Sequence, residues 1–213
     1  MGRAAASTDV QERADGTAPE PAWDVARLFP PQGFWSEEEY LSLPTNHLVE
    51  FSDGRIEVLP MPNPPHQLIV RFLYDVLSAF ARAHALGQVL FAPFPVRLWP
   101  GKYREPDLAF LRTEHRDRIL SDCWEGADIV MEVVSESNCD HDLVTKRREY
   151  AQAGIPEYWM VDPGEEAVTV LLLEGDGYET HGTFGRGTKA TSALLPGFAV
   201  SVDDVLDAPS APA

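Results

Sequence analysis

Two kinds of apolar spacing divide the chain into predicted helices and strands. After His66, apolar residues recur at steps of three and four, which predicts an amphipathic helix that ends at Gly87. Ser36 and Glu39 have the spacing of a capping box, so a short helix is expected to begin there. Between these two helices, apolar residues alternate on both sides of Asp53-Gly54, which predicts a β-hairpin.

Continuous apolar runs predict buried strands in the rest of the chain. Strands are expected at 88–92 and 94–98 and over the runs DLAFL and ADIVMEVV. A helix capped by Asp140 or Asp142 and running through Lys146 and Tyr150 to Gly154 follows, and then the strands EYWMVD and AVTVLLL. This order predicts an α/β fold with a mixed central sheet flanked by helices.

The ends of the chain differ in character from its centre. Residues 1–32 and 207–213 are rich in Ala and Pro without periodicity and predict flexible tails around one domain at 33–206. The 213 residues are enough to bury a core without a disulfide or a structural metal. Cys123 and Cys139 lack paired CxxC spacing and are interpreted as reduced thiols.

Charge and hydropathy bear on location and partners. No run approaches the about 18 to 20 apolar residues of a membrane helix, and the start lacks the apolar core of a secretory signal, which favours a cytoplasmic protein without a membrane partner. The net charge of −17 argues against nucleic-acid binding by bulk electrostatics. Nine of the 17 basic residues nevertheless lie between Arg97 and Arg148, among eleven acidic ones, so both a local polyanion site and an ordinary mixed surface remain open.

Three carboxylates are candidates for a metal site. Asp107 opens the run DLAFL and Glu132 interrupts DIVMEVV, and a carboxylate in a buried strand is costly unless it is paired or bound to a cation. Glu50 lies in the first arm of the predicted hairpin. Together the three could form an oxygen-rich site for Mg²⁺. The alternative is that Asp107 caps a strand end, Glu132 pairs with an arginine and Glu50 faces water.

Lys146, Tyr150 and His66 are further candidates with ordinary structural alternatives. Lys146 could form a weak surface ion pair with Asp142, four residues earlier, and Tyr150 on the same helix face could be a core residue. His66 begins the long helix without a second histidine at ligand spacing, so a zinc site is not expected. The motifs of serine hydrolases, nucleotide triphosphatases and dinucleotide-binding proteins do not occur.

The longer motifs resemble those of a known family. REPDLAFL, DIVMEVVSES, VEFSDGRIEVLPMPNPPHQLIV and the run from Asp142 to Asp162-Pro163 are together similar to the bacterial Uma-two family of restriction-endonuclease-like proteins. That family belongs to the PD-(D/E)xK nuclease superfamily, and the similarity covers residues 33–205. It implies a restriction-endonuclease-like fold.

The resemblance also implies roles for individual residues. It assigns the catalytic set to Glu50, Asp107, Glu132 and Lys146, with the three acids as metal ligands. Val134 stands where the superfamily's simplest pattern has its lysine, and Lys146 matches the lysine that this family carries on the following helix. Glu136 replaces a proline of relatives, and His66 matches a recurrent family histidine of unassigned role.

The resemblance implies hydrolysis of phosphodiester bonds with Mg²⁺ or Mn²⁺. DNA is the expected substrate on family grounds, and a homodimer is expected of nucleases that cut both strands. Two other classes remain open from the residues alone. One is an inert nucleic-acid-binding or regulatory module with the same fold, which the acidic surface favours. The other is a glycosidase with paired carboxylates, which would not use the lysine.

Overall fold

A computed structural model describes residues 29–45, 47–135 and 141–210, with the backbone alone described at 141–143. The chain divides into two units, Met1–Pro31 and Gln32–Ala213, and the fold below is that of the second. In the described part of the chain, no helix is both long and apolar enough to span a membrane. The expectations for residues 1–28 and for Glu136, Cys139 and Asp140 lie outside the described residues.

The helices begin where the sequence supplies capping groups. Ser36 accepts a hydrogen bond from the Glu39 N–H, and the Glu39 carboxylate accepts one from the Ser36 N–H at 2.8 Å, so the predicted capping box is confirmed. Asn63 caps the long helix, and prolines occupy its first turn. The described helices are α1 (Glu37–Leu41), α2 (Pro64–Ala83), α3 (Arg147–Gln152), which a π-helical turn (His141–Lys146) precedes, and α4 (Val202–Asp207).

In the residues that the structure describes, the strands form two large sheets and one small one. In chain order they are β1 (Val49–Ser52), β2 (Arg55–Val58), β3 (Gly87–Phe91), β4 (Val96–Trp99), β5 (Lys102–Arg104), β6 (Leu108–Arg112), β7 (Trp124–Glu125), β8 (Ile129–Val133), β9 (Glu157–Asp162), β10 (Ala167–Glu174), β11 (Gly177–Gly185), β12 (Lys189–Thr191) and β13 (Ala199–Ser201). The six-stranded sheet has the order β11-β10-β9-β8-β6-β3, the five-stranded sheet has the order β2-β1-β5-β4-β7, and β12 pairs with β13. In the six-stranded sheet β8 and β9 run parallel and the other neighbours antiparallel, which confirms the predicted mixed sheet.

The six-stranded sheet lies between two hydrophobic layers. On one face it packs against α2 and α4, and Ile129, Met131 and Val133 of β8 point into this layer. On the other face it packs against α3 and against β4 and β7 of the five-stranded sheet, and Val130 points there. Because side chains alternate along a strand, Glu132 points to the same face as Val130, toward α3.

Two turns show how a glycine prediction can succeed or fail. Asp53 and Gly54 both have positive φ, 46° and 76°, and join β1 to β2 as the predicted hairpin. The long helix does not end at Gly87, since it stops at Ala83. Gly87 instead opens β3, where a Cβ atom would lie 2.0 Å from the Leu111 carbonyl oxygen. This glycine is needed for close contact between strands, which helical spacing cannot reveal.

The five-stranded sheet is the main feature that apolar patterns did not predict. The strands expected at 88–92 and 94–98 exist as β3 and β4, but they belong to different sheets. The strand between β4 and β6 is β5, whose sequence KYR is too polar for an apolar run to indicate it. At the end of the chain, a 3₁₀ turn, Ala208–Ser210, occupies part of the stretch expected to be a tail.

Candidate active site

Asp107 and Glu132 lie next to each other on neighbouring strands. Leu108 pairs with Met131 in the antiparallel register of β6 and β8, and extending this register by one residue places Asp107 opposite Glu132. Opposite residues of an antiparallel pair share one face of the sheet. The Val133 N–H donates a hydrogen bond of 2.8 Å to Asp107 Oδ2. The two acids that the sequence singled out therefore meet at the end of these strands.

Glu132 is buried and both of its oxygens accept hydrogen bonds. Lys146 Nζ donates to Oε2 at 3.0 Å and the Tyr150 hydroxyl donates to Oε1 at 2.5 Å. Lys146 and Tyr150 are four residues apart across the junction of the π-helical turn and α3, so they share the helix face above β8. Burial, and then the charge of Glu132, raises the pKa of Tyr150 well above its ordinary value, so the phenol stays a donor.

Lys146 does not lie at the surface, where the alternative of a weak ion pair would place it. Its side chain is only 5% exposed, and it pairs with Glu132 inside the protein. The side chain of Asp142 lies outside the described residues. Spacing along a helix cannot reveal the contact with Glu132, because Glu132 lies on a strand that tertiary packing brings to the helix.

Glu50 lies in the interior behind Lys146 and does not face water. Its side chain is fully buried in β1. Arg104 Nη1 donates to Glu50 Oε2 at 2.5 Å, and Lys146 Nζ lies 3.9 Å from Oε1. Alternation along β1 suggested an exposed carboxylate, but Val49, Glu50 and Phe51 are all buried because the strand is covered on both faces.

His66 contacts Asp107 from the beginning of α2. Its Nε2 lies 3.1 Å from Asp107 Oδ2, and the two side chains are 12% and 14% exposed. Burial lowers the pKa of His66, but the hydrogen bond and charge of Asp107, with a contribution from Glu132, outweigh it and raise this pKa above its ordinary value. His66 Nδ1 is buried and has no hydrogen-bond partner among the described residues. The structure therefore places this histidine beside the acidic pair, where the sequence assigned it no role.

Sequence reasoning missed three charged residues that surround this cluster. Arg104 donates through Nε and Nη2 to the two oxygens of Glu149, at 2.7 and 3.1 Å. Lys102 Nζ lies 2.6 Å from Glu149 Oε1. Burial alone would raise the pKa of Glu149, but hydrogen bonds from Arg104 and Lys102 hold it below its ordinary value. For Lys102 and Arg104 the sequence did contain a signal, because the charged segment KYREPD directly precedes β6.

The acids fit a divalent cation only in part. No group of three or more His, Cys, Asp and Glu side chains is arranged around one point within the residues the structure describes, so Glu50 does not join Asp107 and Glu132 in a three-acid cage. Asp107 contacts the Val133 N–H and His66 Nε2 through Oδ2. Its Oδ1 makes no hydrogen bond with the residues that the structure describes. The Asp107 side chain is 14% exposed and lies beside a second carboxylate, which suits Mg²⁺, an ion that takes few protein oxygens and keeps several waters.

The segment from Arg97 to Arg148, which contains nine of the 17 basic residues, offers a polyanion less positive charge than its composition suggested. Lys102, Arg104 and Lys146 are buried in ion pairs. Arg97 pairs with Glu125 and Arg112 with Glu114. Because these five side chains already have carboxylate partners, counting charges along the chain overstates the positive surface. Arg148, on α3, is exposed.

A mixed sheet with two opposed carboxylates at one strand end and a buried lysine beside them is the arrangement expected of restriction-endonuclease-like nucleases. Residues 37–203 match the family model Uma2, described as "Putative restriction endonuclease". This match spans most of the chain, and the chain belongs to that family. A search among curated proteins found no match.

The fold is also found in a solved structure. It is similar to the crystal structure of a "putative nuclease belonging to DUF820 from Anabaena variabilis ATCC 29413", with a TM-score of 0.67 and 18% sequence identity. The similarity covers 81% of this chain and 97% of the Anabaena protein. At this identity the likeness shows the fold, and it confirms the restriction-endonuclease-like architecture expected from the sequence.

Proposed function

We propose that this chain is a metal-dependent endonuclease that hydrolyses the phosphodiester bonds of DNA. The observation that best supports this is the opposition of Asp107 and Glu132 across β6 and β8, with Lys146 Nζ 3.0 Å from Glu132. Two acids and one cation at a strand end match the needs of phosphoryl chemistry, in which negative charge must be bound and an attacking water activated.

Asp107 and Glu132 are the residues that would hold Mg²⁺ or Mn²⁺. When bound, such an ion supplies a water of lowered pKa and a positive charge beside the phosphate. Glu50, which the family pattern also assigns to the metal, is placed here behind the lysine and paired with Arg104. Its proposed role is therefore to balance the charge of Lys146 and Arg104 in the interior.

The chain's other polar groups orient this pair. His66 Nε2 and the Val133 N–H hold Asp107 through one oxygen, which leaves the other oxygen directed away from them. Tyr150 and Lys146 hold Glu132. The Lys146 ammonium then lies where it can stabilise negative charge that develops on a phosphate placed against the two acids, and a preorganised charge of this kind acts chiefly in the transition state.

DNA is proposed as the substrate because the family to which the chain belongs is described as "Putative restriction endonuclease". The net charge of −17 does not favour general binding to polyanions. Recognition would therefore depend on a few local cations, such as Arg148 on α3, together with the bound metal. A homodimer is proposed only for cleavage of both strands, and sedimentation of the protein with and without duplex DNA would detect it.

The test is metal-dependent cleavage of supercoiled plasmid and single-stranded DNA by the purified chain. We expect cleavage with Mg²⁺ or Mn²⁺, none with EDTA, and loss of cleavage in Asp107→Asn. The matched control is Asp128→Asn. Asp128 also contacts a histidine, His115 at 2.8 Å, and accepts a backbone N–H, from Arg112 at 2.7 Å, but it lies away from Glu132 and Lys146. Equal loss in both variants would show a general effect on folding and contradict the proposed site.

One observation favours a second candidate, an inert nucleic-acid-binding module. Both oxygens of Glu132 are already engaged, by Lys146 and by Tyr150, so a metal must compete with an existing ion pair. If the wild-type chain binds DNA but does not cut it with either Mg²⁺ or Mn²⁺, this second candidate replaces the first.

A further inference from the structure

A chain of buried ion pairs connects the five-stranded sheet to Glu132. Positive and negative side chains alternate along it, and each is less than a tenth exposed. Its members, in order of contact, are Lys102, Glu149, Arg104, Glu50, Lys146 and Glu132. Three cations and three anions balance, which is the condition under which so many charges can be buried together.

The contacts within this chain are not equally close. Glu50 receives a hydrogen bond of 2.5 Å from Arg104 Nη1, whereas Lys146 Nζ stands 3.9 Å from Glu50, beyond hydrogen-bond distance. The same ammonium lies 3.0 Å from Glu132. Among the described residues, two carboxylates lie within 4 Å of the Lys146 ammonium, and the closer one, Glu132, belongs to the candidate active site.

We propose that Arg104 is a positioning residue that directs Lys146 to Glu132 by supplying the countercharge of Glu50. A buried carboxylate needs a cation close by. Arg104 meets that need for Glu50, so the lysine is not drawn to it. The effect on catalysis rests on the function proposed above, but the placement of Lys146 does not.

Arg104 is held rigidly enough to act in this way. It lies in β5, which pairs with β1 and β4. Its guanidinium makes a bidentate hydrogen-bonded contact with the carboxylate of Glu149 in α3. Because the guanidinium is planar, two hydrogen bonds to one carboxylate also fix the position of its third nitrogen. That nitrogen, Nη1, is the one that meets Glu50. Glu149 follows Lys146 by three residues, so the same helical segment carries both the anchor of Arg104 and the lysine that it directs.

Removal of Arg104 gives a specific expected rearrangement. In Arg104→Met, Glu50 keeps its charge and loses its closest cation, and the nearest remaining ammonium is that of Lys146. The lysine should then move toward Glu50 and away from Glu132. A further change, Glu50→Gln, removes the charge that attracts it, so the double variant should return Lys146 to Glu132.

The sequence makes this movement measurable without a nuclease assay. Lysine occurs at only three positions, 102, 146 and 189, so protein labelled with ¹⁵N-lysine gives three side-chain signals that can be assigned with Lys→Arg variants. In the wild type, Glu132→Gln should move the Lys146 Nζ signal more than Glu50→Gln does. In the Arg104→Met background this order should reverse, and Arg104→Met/Glu50→Gln should restore the wild-type position of the signal.

The control is Arg97→Met. Arg97 lies in the same five-stranded sheet and pairs with Glu125, outside the ion-pair chain, so its removal should leave the Lys146 signal in place. If Arg104→Met does not fold, Arg104→Lys is used, because a single ammonium cannot serve both Glu50 and Glu149 and should produce the same shift in part. An unchanged Lys146 signal in the folded Arg104 variant overturns the proposal.

Cleavage of DNA provides the second readout. If the proposed nuclease activity exists, Arg104→Met should lower kcat at least tenfold with little change in KM, because the lysine that acts in the transition state is displaced. If the wild type does not cleave DNA, the lysine signals still decide the role of Arg104. If the wild type cleaves and Lys146 does not move in Arg104→Met, the nuclease function stands and the positioning role fails.

Discussion

Two buried glutamates on adjacent parallel strands have opposite environments. Glu132 on β8 has charged and phenolic partners, Lys146 and Tyr150. Glu157 on β9 is also fully buried, but it accepts hydrogen bonds only from neutral donors in the described part of the chain. These are Trp159 Nε1 at 2.6 Å, Ser192 Oγ at 2.7 Å and the backbone N–H groups of Ala193 and Leu194 at 2.9 and 2.8 Å.

The difference separates a structural carboxylate, Glu157, from one that we propose to be functional, Glu132. Four fixed donors satisfy Glu157 and connect the start of β9 to the segment that follows β12, so this residue serves packing. Glu132 lies toward the carboxyl end of β8, the end at which parallel strands commonly present ligand sites. It faces the Lys146 ammonium and a second acid, Asp107, and a bound cation could change these contacts. Burial is common to both glutamates, so the kind of hydrogen-bond partner is what distinguishes the acid proposed to hold the metal.

The largest expected effect comes from removing the cation that Glu132 depends on. Lys146→Met leaves Glu132 and Glu50 in the interior with less countercharge, and should lower the free energy of unfolding by about 3 to 5 kcal/mol. Lys189→Met, at an exposed position of β12, should change it by less than about 0.5 kcal/mol. Urea denaturation of both variants measures the difference. Equal stabilities would mean that Lys146 is not needed to balance the buried acids.

The next prediction compares the two glutamates directly. Glu132→Gln should lower metal-dependent DNA cleavage by about 100-fold or more, since even the loss of an outer-shell partner of a metal costs up to about 100-fold. Glu157→Gln, which changes an equally buried carboxylate on the neighbouring strand, should keep cleavage close to that of the wild type in folded protein. Rates at saturating Mg²⁺ and Mn²⁺ test this, and a similar loss in Glu157→Gln would remove the proposed distinction.

Another buried glutamate, Glu105, sharpens the comparison through the pH dependence of stability. Burial, and then the nearby Glu50, raises the pKa of Glu105 to about 7, although the Val49 N–H donates to Oε2 at 3.0 Å. The folded chain therefore holds this proton to a higher pH than the unfolded chain does. Its contribution to stability is present below about pH 4.5 and is lost as the pH rises toward 7.

Glu105→Gln keeps an oxygen acceptor for Val49 and removes the charge. At pH 8 it should raise the free energy of unfolding by about 2 kcal/mol. One unit of pKa shift corresponds to about 1.4 kcal/mol, and the value is set below the full conversion because local adjustment relieves part of the cost of the buried charge. At pH 4.5 the variant and the wild type should be nearly equal. Urea denaturation at both pH values tests this, and a gain of the same size at pH 4.5 would show that the charge is not the cause.

The smallest expected effect concerns the exposed cations near the site. Arg148→Ala should weaken DNA binding several-fold and lower the slope of log affinity against log salt by about 1, as expected for one lost phosphate contact. Arg147→Ala is less informative, because its guanidinium donates to the Tyr178 carbonyl oxygen at 2.8 Å and has a structural role. Titration of a labelled duplex at several salt concentrations measures the slope, and an unchanged slope would exclude Arg148 from the interface.

Much of the architecture follows from local signals in the sequence. The capping box at Ser36, the hairpin at Asp53-Gly54, the amphipathic helix α2 and the apolar runs of β6, β8, β9 and β10 are all local patterns, and the structure contains each of them. The motifs around Asp107, Glu132 and Lys146 also carry the family resemblance, which the match over 37–203 confirms. These features depend on residues that are neighbours in sequence or on spacing within one element.

Tertiary structure alone decided the partners of the charged residues. Glu50 and Lys146 each had an exposed alternative from their own element, and both are buried because the five-stranded sheet and α3 come together over β8. Arg104, Glu149 and Lys102 acquire their roles only there, since their partners lie 45 or more residues away along the chain. Periodicity reports which face of an element is apolar, whereas the balance of buried charge depends on which distant elements meet. The sequence therefore identifies the acids and the lysine, and packing determines which of them pair.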